Sequence, residues 1–185
     1  MEQLDDSRYY ERLAQTAERG KLDAVFFADS NSAGNVSDGS WFYLEPLTAM
    51  AAMSRATEKI GFISTVSSTF YTPFHAARLV ASLDHISGGR IGWNVVTSMF
   101  DVEARNHGYE SMPGHAERYR RADEFVQAVL GLWDSWADAA LRLDPQGPYA
   151  APAKVPPIIH QAALFRVAWP ADVPRQGQRP PGLAE

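Results

Sequence analysis

The feature that most constrains the fold is a regular alternation of helical and strand patterns over residues 6–136. Short apolar runs predict three strands at residues 22–28, 60–66 and 91–97, the first of them buried on both faces. Apolar residues at helical spacing predict helices before, between and after these strands, the last over residues 115–136. Strands that alternate with helices indicate an α/β fold with a parallel sheet and right-handed crossovers.

Two architectures fit this order of elements: an open doubly wound sheet and a (β/α) barrel with outer helices. A dinucleotide-binding sheet usually carries G-x-G-x-x-G after its first strand. Here that strand is followed by Ala28, Asp29 and Ser30, and the motif occurs nowhere in the sequence. Its absence favours the barrel. Because a complete barrel takes about 250 residues, three clear strands predict only part of one.

The chain changes character after residue 144. Nine of its 12 prolines fall within residues 145–185. We therefore expect a partial (β/α) barrel over residues 1–144 and a Pro-rich, degenerate or disordered tail over residues 145–185, with residues 177–185 disordered.

Composition excludes several classes of function. The chain has no cysteine, which rules out disulfides, Cys-ligated zinc, iron–sulfur clusters and thiol catalysis. It has 17 Lys and Arg against 22 Asp and Glu, without a basic run, so we expect no nucleic-acid partner. No apolar run approaches the roughly 20 residues that span a bilayer. We therefore expect no membrane association and a cytoplasmic protein.

Polar side chains follow each predicted strand. In a parallel α/β fold, ligands bind at the carboxyl ends of the strands, a rule that selects Asp29, Thr65 and Asn94. Two interpretations stay open for these residues. They bind a ligand, or they cap loops and satisfy backbone groups beside the strand ends.

A second candidate group begins the longest predicted helix. His115 and Tyr119 are four residues apart and therefore project from one helix face, at an end that attracts anions. The alternative is an exposed surface pair. Aromatic residues in the loops indicate either a flat, partly apolar ligand or a subunit interface; they are Trp41, Phe42, Tyr43, Phe70, Tyr71 and Phe74.

Other kinds of site are not indicated. Without H-x-x-x-H or H-E-x-x-H the sequence predicts no metal site, and without G-x-S-x-G it predicts no serine hydrolase. Asp84, Asp101 and Glu103 are possible catalytic carboxylates, but nothing in the sequence places two of them in one cleft. No catalytic residue is assigned.

Four stretches within residues 13–136 resemble a known family: LAQTAERGKLDAVFFAD, LEPLTAMAAMSRATEKIGF, ARLVASLDHISGGRIGWNVVTS and HAERYRRADEFVQAVLGLWDSW. They resemble the bacterial-luciferase-like superfamily of flavin-dependent monooxygenases. The nearer likeness is to its nitrilotriacetate, dibenzothiophene-sulfone and pristinamycin monooxygenase branch. The resemblance implies a TIM barrel of the luciferase-like type, of which this chain holds a part.

The resemblance also implies a function. Family members use reduced FMN, supplied by a separate flavin reductase, to activate O₂ and oxidise small organic substrates; we also expect a homo-oligomer. It implies that Asp29 and Thr65 lie near the isoalloxazine, together with Asn94. It further implies that His115 and Tyr119 reach the phosphate and ribityl region of the flavin.

The sequence also departs from the family. Members run to well over twice this length, and His107 stands where the family usually has Phe. The tail segments IIHQAALF and PRQGQRPP match the family only faintly. We therefore expect a truncated or frame-shifted relative, or a fragment, that binds FMN weakly by itself and shows no turnover. The alternative to an enzyme is a non-catalytic remnant, or a subunit that binds flavin or a partner.

Overall fold

The computed structural model describes residues 4–33, 37, 44–174, 176 and 181–184. The predicted loop aromatics Trp41, Phe42 and Tyr43 lie outside these residues. Within the described part of the chain, no helix is both long enough and apolar enough to cross a membrane.

The described strands are β1 (Ala24–Phe27), β2 (Gly61–Ser67), β3 (Ile91–Val96), β4 (His160–Gln161), β5 (Arg166–Val167) and β6 (Gly182–Ala184). The main sheet has the order β1-β2-β3-β6, and every neighbouring pair in it is parallel. The predicted parallel pairing is therefore confirmed. In this register Phe27 lies opposite Ser64, and Thr65 lies opposite Asn94.

The described helices are α1 (Ser7–Arg19), α2 (Pro46–Arg55), α3 (Pro73–Ser87), α4 (Asp101–Asn106) and α5 (His115–Trp133), with a 3₁₀ turn at Pro152–Lys154. Side chains cap three of the helix starts. The carboxylates of Asp6 and Glu45 accept backbone N–H groups at the starts of α1 and α2, and the Thr72 hydroxyl oxygen accepts one at the start of α3. The helix predicted over 115–136 ends earlier, at Trp133, and α4 lies in a stretch predicted to be loop.

Helices cover one face of the sheet and form the core with it. Trp93 on β3 is fully buried, and its ring contacts Phe125 and Trp133 of α5. Both indole N–H groups are satisfied: Trp93 donates to the carbonyl of Val66, and Trp133 donates to that of Ala77. This packing holds β3 in position against α5, and with it Asn94, the next residue of the strand.

The prediction that the first strand is buried on both faces is wrong. Phe26 of β1 is 51% exposed, whereas its neighbour Phe27 is buried beside Tyr10 of α1. α1 covers one face of β1, and within the described residues the other face is left exposed at Phe26. The uncovered face carries Phe26, Ile63 and Asn94.

The tail contains more structure than its composition predicts. Of the stretch 177–185, expected to be disordered, Gly182–Ala184 form β6 and pair with β3, because that strand offers a free row of backbone groups. The β4–β5 hairpin packs on α5, where the Glu124 carboxylate accepts the N–H groups of Leu164 and Phe165. The division of the chain at residue 144 stays a prediction.

Candidate functional site

The centre of the candidate site is a hydrogen-bonded bridge across three strands at the carboxyl edge of the sheet. The Thr65 hydroxyl of β2 donates to the carbonyl oxygen of Phe27 at the end of β1, over 2.7 Å. The side-chain amide of Asn94 on β3 donates to the same hydroxyl over 2.9 Å. The strand-end rule therefore selected two residues that lie in direct contact.

This bridge limits what each side chain offers a ligand. A hydroxyl has one hydrogen, and that of Thr65 is engaged by Phe27, so this group meets a ligand only through its remaining lone pair. Asn94 has a second amide hydrogen and a carbonyl oxygen beyond the bond to Thr65. Asn94 is therefore the more versatile hydrogen-bonding group of the pair.

Asp29 follows β1 at the same edge and has an unusual charge state. Burial raises its pKa from 3.8 to about 6, against the opposing effect of the Ser30 N–H. The nearby carboxylates of Glu45 and Glu103 contribute to this rise. Tyr71 shares this environment, and its pKa is raised by burial and then by Glu45 and Asp29. Half-buried carboxyls with a raised pKa are common at functional sites.

Glu103 of α4 is the most buried carboxylate at this edge, with 3% exposure. Its Oε2 accepts the N–H groups of Met99 and Phe100, and its Oε1 accepts that of Asn31 over 3.1 Å. Burial acts to raise the pKa of Glu103, but these hydrogen bonds outweigh it and hold the pKa below its usual value. The residue is therefore ionised and joins the loops after β1 and β3.

Further contacts tie the loops after all three strands together. The Asn106 side chain donates to the Asn31 carbonyl over 2.9 Å, and His107 Nε2 lies 3.3 Å from Asn31 Oδ1. The His107 ring stacks on Phe70, which follows β2, with centroids 4.3 Å apart and planes at 7°. The loop aromatic Phe70, predicted at a rim, thus packs within the loop cluster.

His115 and Tyr119 form a separate group at the start of α5. Their rings stack with centroids 4.5 Å apart, and Tyr119 is 55% exposed. Gly114 precedes the helix and provides no side-chain cap. Arg121 donates from Nε to the carbonyl of Ser68, directly after β2, so this half of α5 lies beside the carboxyl edge of the sheet.

The structure thus joins Thr65 with Asn94 and places Asp29 in the same electrostatic environment as Glu103. Sequence reasoning listed Glu103 only as a possible catalytic carboxylate and missed its loop contacts, including the one to Asn31. The N-cap residue Phe100 has no side-chain acceptor, so the S/T-x-x-E pattern of a capping box is absent and no local sequence pattern indicated these contacts. Within the described residues, no group of three or more metal-binding side chains occurs.

A parallel sheet with outer helices and polar groups at its carboxyl edge defines the class of β/α-barrel proteins that bind ligands at this edge. The chain belongs to the luciferase-like monooxygenase family, whose model matches residues 2–168. The predicted family and the luciferase-like α/β fold are both confirmed.

Two curated relatives illustrate the match. The chain is 44% identical to the dibenzothiophene-sulfone monooxygenase of Rhodococcus erythropolis, over 96% of this chain and 42% of the relative. It is 42% identical to nitrilotriacetate monooxygenase component A of Aminobacter aminovorans, over 97% of this chain and 43% of that protein. The chain therefore spans less than half the length of these relatives.

Solved structures agree with the sequence comparison. An EDTA monooxygenase from Chelativorans sp. BNC1 superposes with a TM-score of 0.87 at 38% identity, over 97% of this chain and 44% of the other. A riboflavin lyase, solved with modified FMN and riboflavin, gives a TM-score of 0.88 at 36% identity, over 97% and 42% of the two chains.

Proposed function

We propose that this chain forms the flavin-binding part of a two-component monooxygenase. In this proposal reduced FMN comes from a separate flavin reductase, and the whole protein oxidises a small organic substrate with O₂. The observation that carries the proposal is the bridge from Phe27 through Thr65 to Asn94, with Asp29 beside it, at the carboxyl edge of a sheet in this family.

The residues present fit a flavin. An isoalloxazine is flat, apolar at one end and rich in hydrogen-bonding groups at the other. The uncovered sheet face offers apolar Phe26 and Ile63 next to the polar pair Thr65 and Asn94. At the start of α5, backbone N–H groups without a side-chain cap suit a phosphate, as do the adjacent His115 and Tyr119.

FMN, when bound in its reduced form, supplies the electrons that activate O₂. The chain's own residues bind and orient it. In our proposal Asn94 hydrogen-bonds the polar edge of the ring system, and Thr65 holds the Asn94 amide in place. His115 and Tyr119 contact the ribityl chain and phosphate.

Asp29 is proposed to hold a proton at its carboxyl group. With a pKa of about 6 it is largely neutral below about pH 5 and largely ionised above about pH 7. In its neutral form it donates a hydrogen bond to an acceptor on the ring edge, and in its ionised form it only accepts. Flavin affinity is therefore expected to change through this pH range.

The test is a titration of the 185-residue chain with FMN, followed by flavin fluorescence. We expect weak but saturable binding. Replacing Asp29 or Asn94 by Ala removes hydrogen bonds of about 1.5–3 kcal/mol and weakens binding roughly 10- to 100-fold. Failure of the unaltered chain to bind FMN at millimolar concentration would contradict the proposal.

A second experiment separates turnover from binding. The chain is supplied with a flavin reductase, O₂ and a candidate substrate, and oxidised product is measured against flavin bound. We expect no product from the chain by itself. Micromolar or tighter binding with coupled product formation would instead favour a complete site assembled from two or more chains.

One observation favours a second candidate function, a subunit that binds flavin or a partner without turnover. In the described residues the main sheet is open, with β1 and β6 at its edges and Phe26 exposed on the uncovered face. An open sheet admits water to a bound flavin, which disfavours productive oxidation. The turnover experiment distinguishes the two candidates.

A further inference from the structure

Glu103 is bound more extensively than helix capping requires. As the third residue of α4, its carboxylate caps the helix by accepting the N–H of Phe100 over 3.1 Å. Its other contacts serve no helix: it also accepts the N–H of Met99 over 3.2 Å and that of Asn31 over 3.1 Å. Asn31 lies 72 residues earlier in the chain, in the loop after β1.

Three residues of the segment 103–107 contact Asn31, each at a different atom. Glu103 binds its N–H, the Asn106 amide binds its carbonyl oxygen, and the His107 ring lies 3.3 Å from its side-chain oxygen. Asp29 stands two residues before Asn31. The position of the Asp29 backbone therefore depends on contacts that α4 and His107 supply from the other side of the candidate site.

We propose that Glu103 is a positioning residue of the candidate flavin site, because its buried carboxylate anchors Asn31 and thereby fixes the carboxyl group of Asp29 at the carboxyl edge of the sheet. The proposal rests on the proposed function where it concerns flavin. Its structural part, the coupling of Glu103 to Asp29, rests on the contacts of Glu103, Asn106 and His107 with Asn31.

Charge provides a second link between the two residues. The carboxylates that raise the pKa of Asp29 are Glu45, at the start of α2, and Glu103, on α4; the Ser30 N–H acts in the opposite direction. Tyr71, after β2, shares this environment. Removing the charge of Glu103 removes one of the carboxylates that raise this pKa, so we expect the pKa of Asp29 to fall.

The experiment compares Glu103→Gln with the unaltered chain. Glutamine keeps the size of the side chain, loses the charge and loses half of the accepting capacity. The pKa of Asp29 is measured by carbon-13 NMR of its carboxyl group in the flavin-free chain. FMN affinity is measured separately by titration. We expect a lower Asp29 pKa and a five- to tenfold weaker FMN affinity.

Glu18→Gln is the matched control. Glu18 also accepts three backbone N–H groups, those of Glu58, Lys59 and Ile60, but at the opposite edge of the sheet. Both variants lower the melting temperature. A purely structural role of Glu103 predicts that its variant matches Glu18→Gln in FMN affinity. That result would overturn the proposal.

If Glu103→Gln does not fold, Asn106→Ala decides the question. This substitution removes the bond to the Asn31 carbonyl from an exposed side chain and leaves Glu103 intact. We expect weaker FMN binding and an altered Asp29 titration, and an unchanged titration would overturn the proposal. If the unaltered chain does not bind FMN, the proposed function fails, and the NMR titration alone then judges the link between Glu103 and Asp29.

Discussion

Both edges of the parallel sheet contain charged side chains, but the surroundings of these side chains differ between the amino edge and the carboxyl edge. At the amino edge, Arg90 donates to the carbonyls of Ser54, Thr57, Ile60 and Ser87 and to the Thr57 hydroxyl. These bonds join the end of α2, the start of β2 and the end of α3. At the carboxyl edge, Asp29 is half-buried among other carboxylates.

This difference indicates that the amino edge contributes to stability and the carboxyl edge to ligand binding. Arg90 is a charge whose hydrogen-bond donors are satisfied by the fold. Asp29 is a charge that the fold disfavours, since its raised pKa means that ionising it costs stability above pH 6. In β/α-barrel proteins the amino edge is generally the stabilising one and the carboxyl edge the functional one. The described residues follow that division.

The largest expected effect is at the amino edge. Arg90→Met keeps the apolar part of the side chain and removes the donors, so several buried carbonyls lose their partners. We expect the free energy of unfolding to fall by about 3–5 kcal/mol. Urea unfolding followed by tryptophan fluorescence measures it. A loss of unfolding free energy below about 1 kcal/mol would contradict the stabilising role assigned to the amino edge.

The next effect tests the bridge at the carboxyl edge. Thr65→Val keeps the shape of the side chain but removes the hydroxyl. The Phe27 carbonyl then loses its hydrogen-bond donor, and the Asn94 amide loses its acceptor. We expect a loss of about 1–3 kcal/mol in stability and weaker FMN binding. Thr48→Val is the control, because its hydroxyl binds only a helix-end carbonyl. Equal FMN affinity in both variants would argue against the bridge as part of the site.

Asp29→Asn is expected to stabilise the protein while it weakens flavin binding. The folded-state pKa lies above the unfolded value, so the stability that Asp29 removes is absent below pH 4 and complete above about pH 6. After a discount for solvent exposure, the gain at pH 8 is on the order of 1 kcal/mol. Thermal melts at pH 4 and pH 8 check it; an equal gain at both pH values would contradict the raised pKa.

The smallest effect on stability is expected at the start of α5. His115 and Tyr119 are exposed and stack on each other, so His115→Ala changes the free energy of unfolding by less than about 0.5 kcal/mol. FMN binding should nevertheless weaken, and it should weaken more than the binding of riboflavin, which keeps the ribityl chain but lacks the phosphate. An equal loss of affinity for FMN and riboflavin would contradict the proposed contact between His115 and the phosphate.

Sequence patterns predicted the elements that local chemistry determines. The strand predicted at residues 60–66 is Gly61–Ser67, and that predicted at 91–97 is Ile91–Val96, since a short apolar run marks each of them. α4 was missed because six residues are too few to show a helical period. β6 was missed because Gly and Pro mask a pairing that depends on distant β3.

The same division holds within the candidate site. Asp29, Thr65 and Asn94 were selected by their positions after apolar runs, which a sequence displays directly. The bond from Asn31 to Glu103 spans 72 residues, and no local pattern encodes such a contact. The sequence could not predict which loops contact each other in the folded chain. These contacts also determine the charge state of Asp29, because they bring other carboxylates close to it.

The alternation of side chains along β3 has an optical consequence. Asn94 faces the uncovered side of the sheet, so the fully buried indole of Trp93 faces the other. A flavin on Asn94 would therefore be separated from that indole by the thickness of the sheet. Oxidised flavin absorbs where indole emits, so resonance energy transfer would quench Trp93 without contact. The fold thus contains its own spectroscopic reporter of ligand binding.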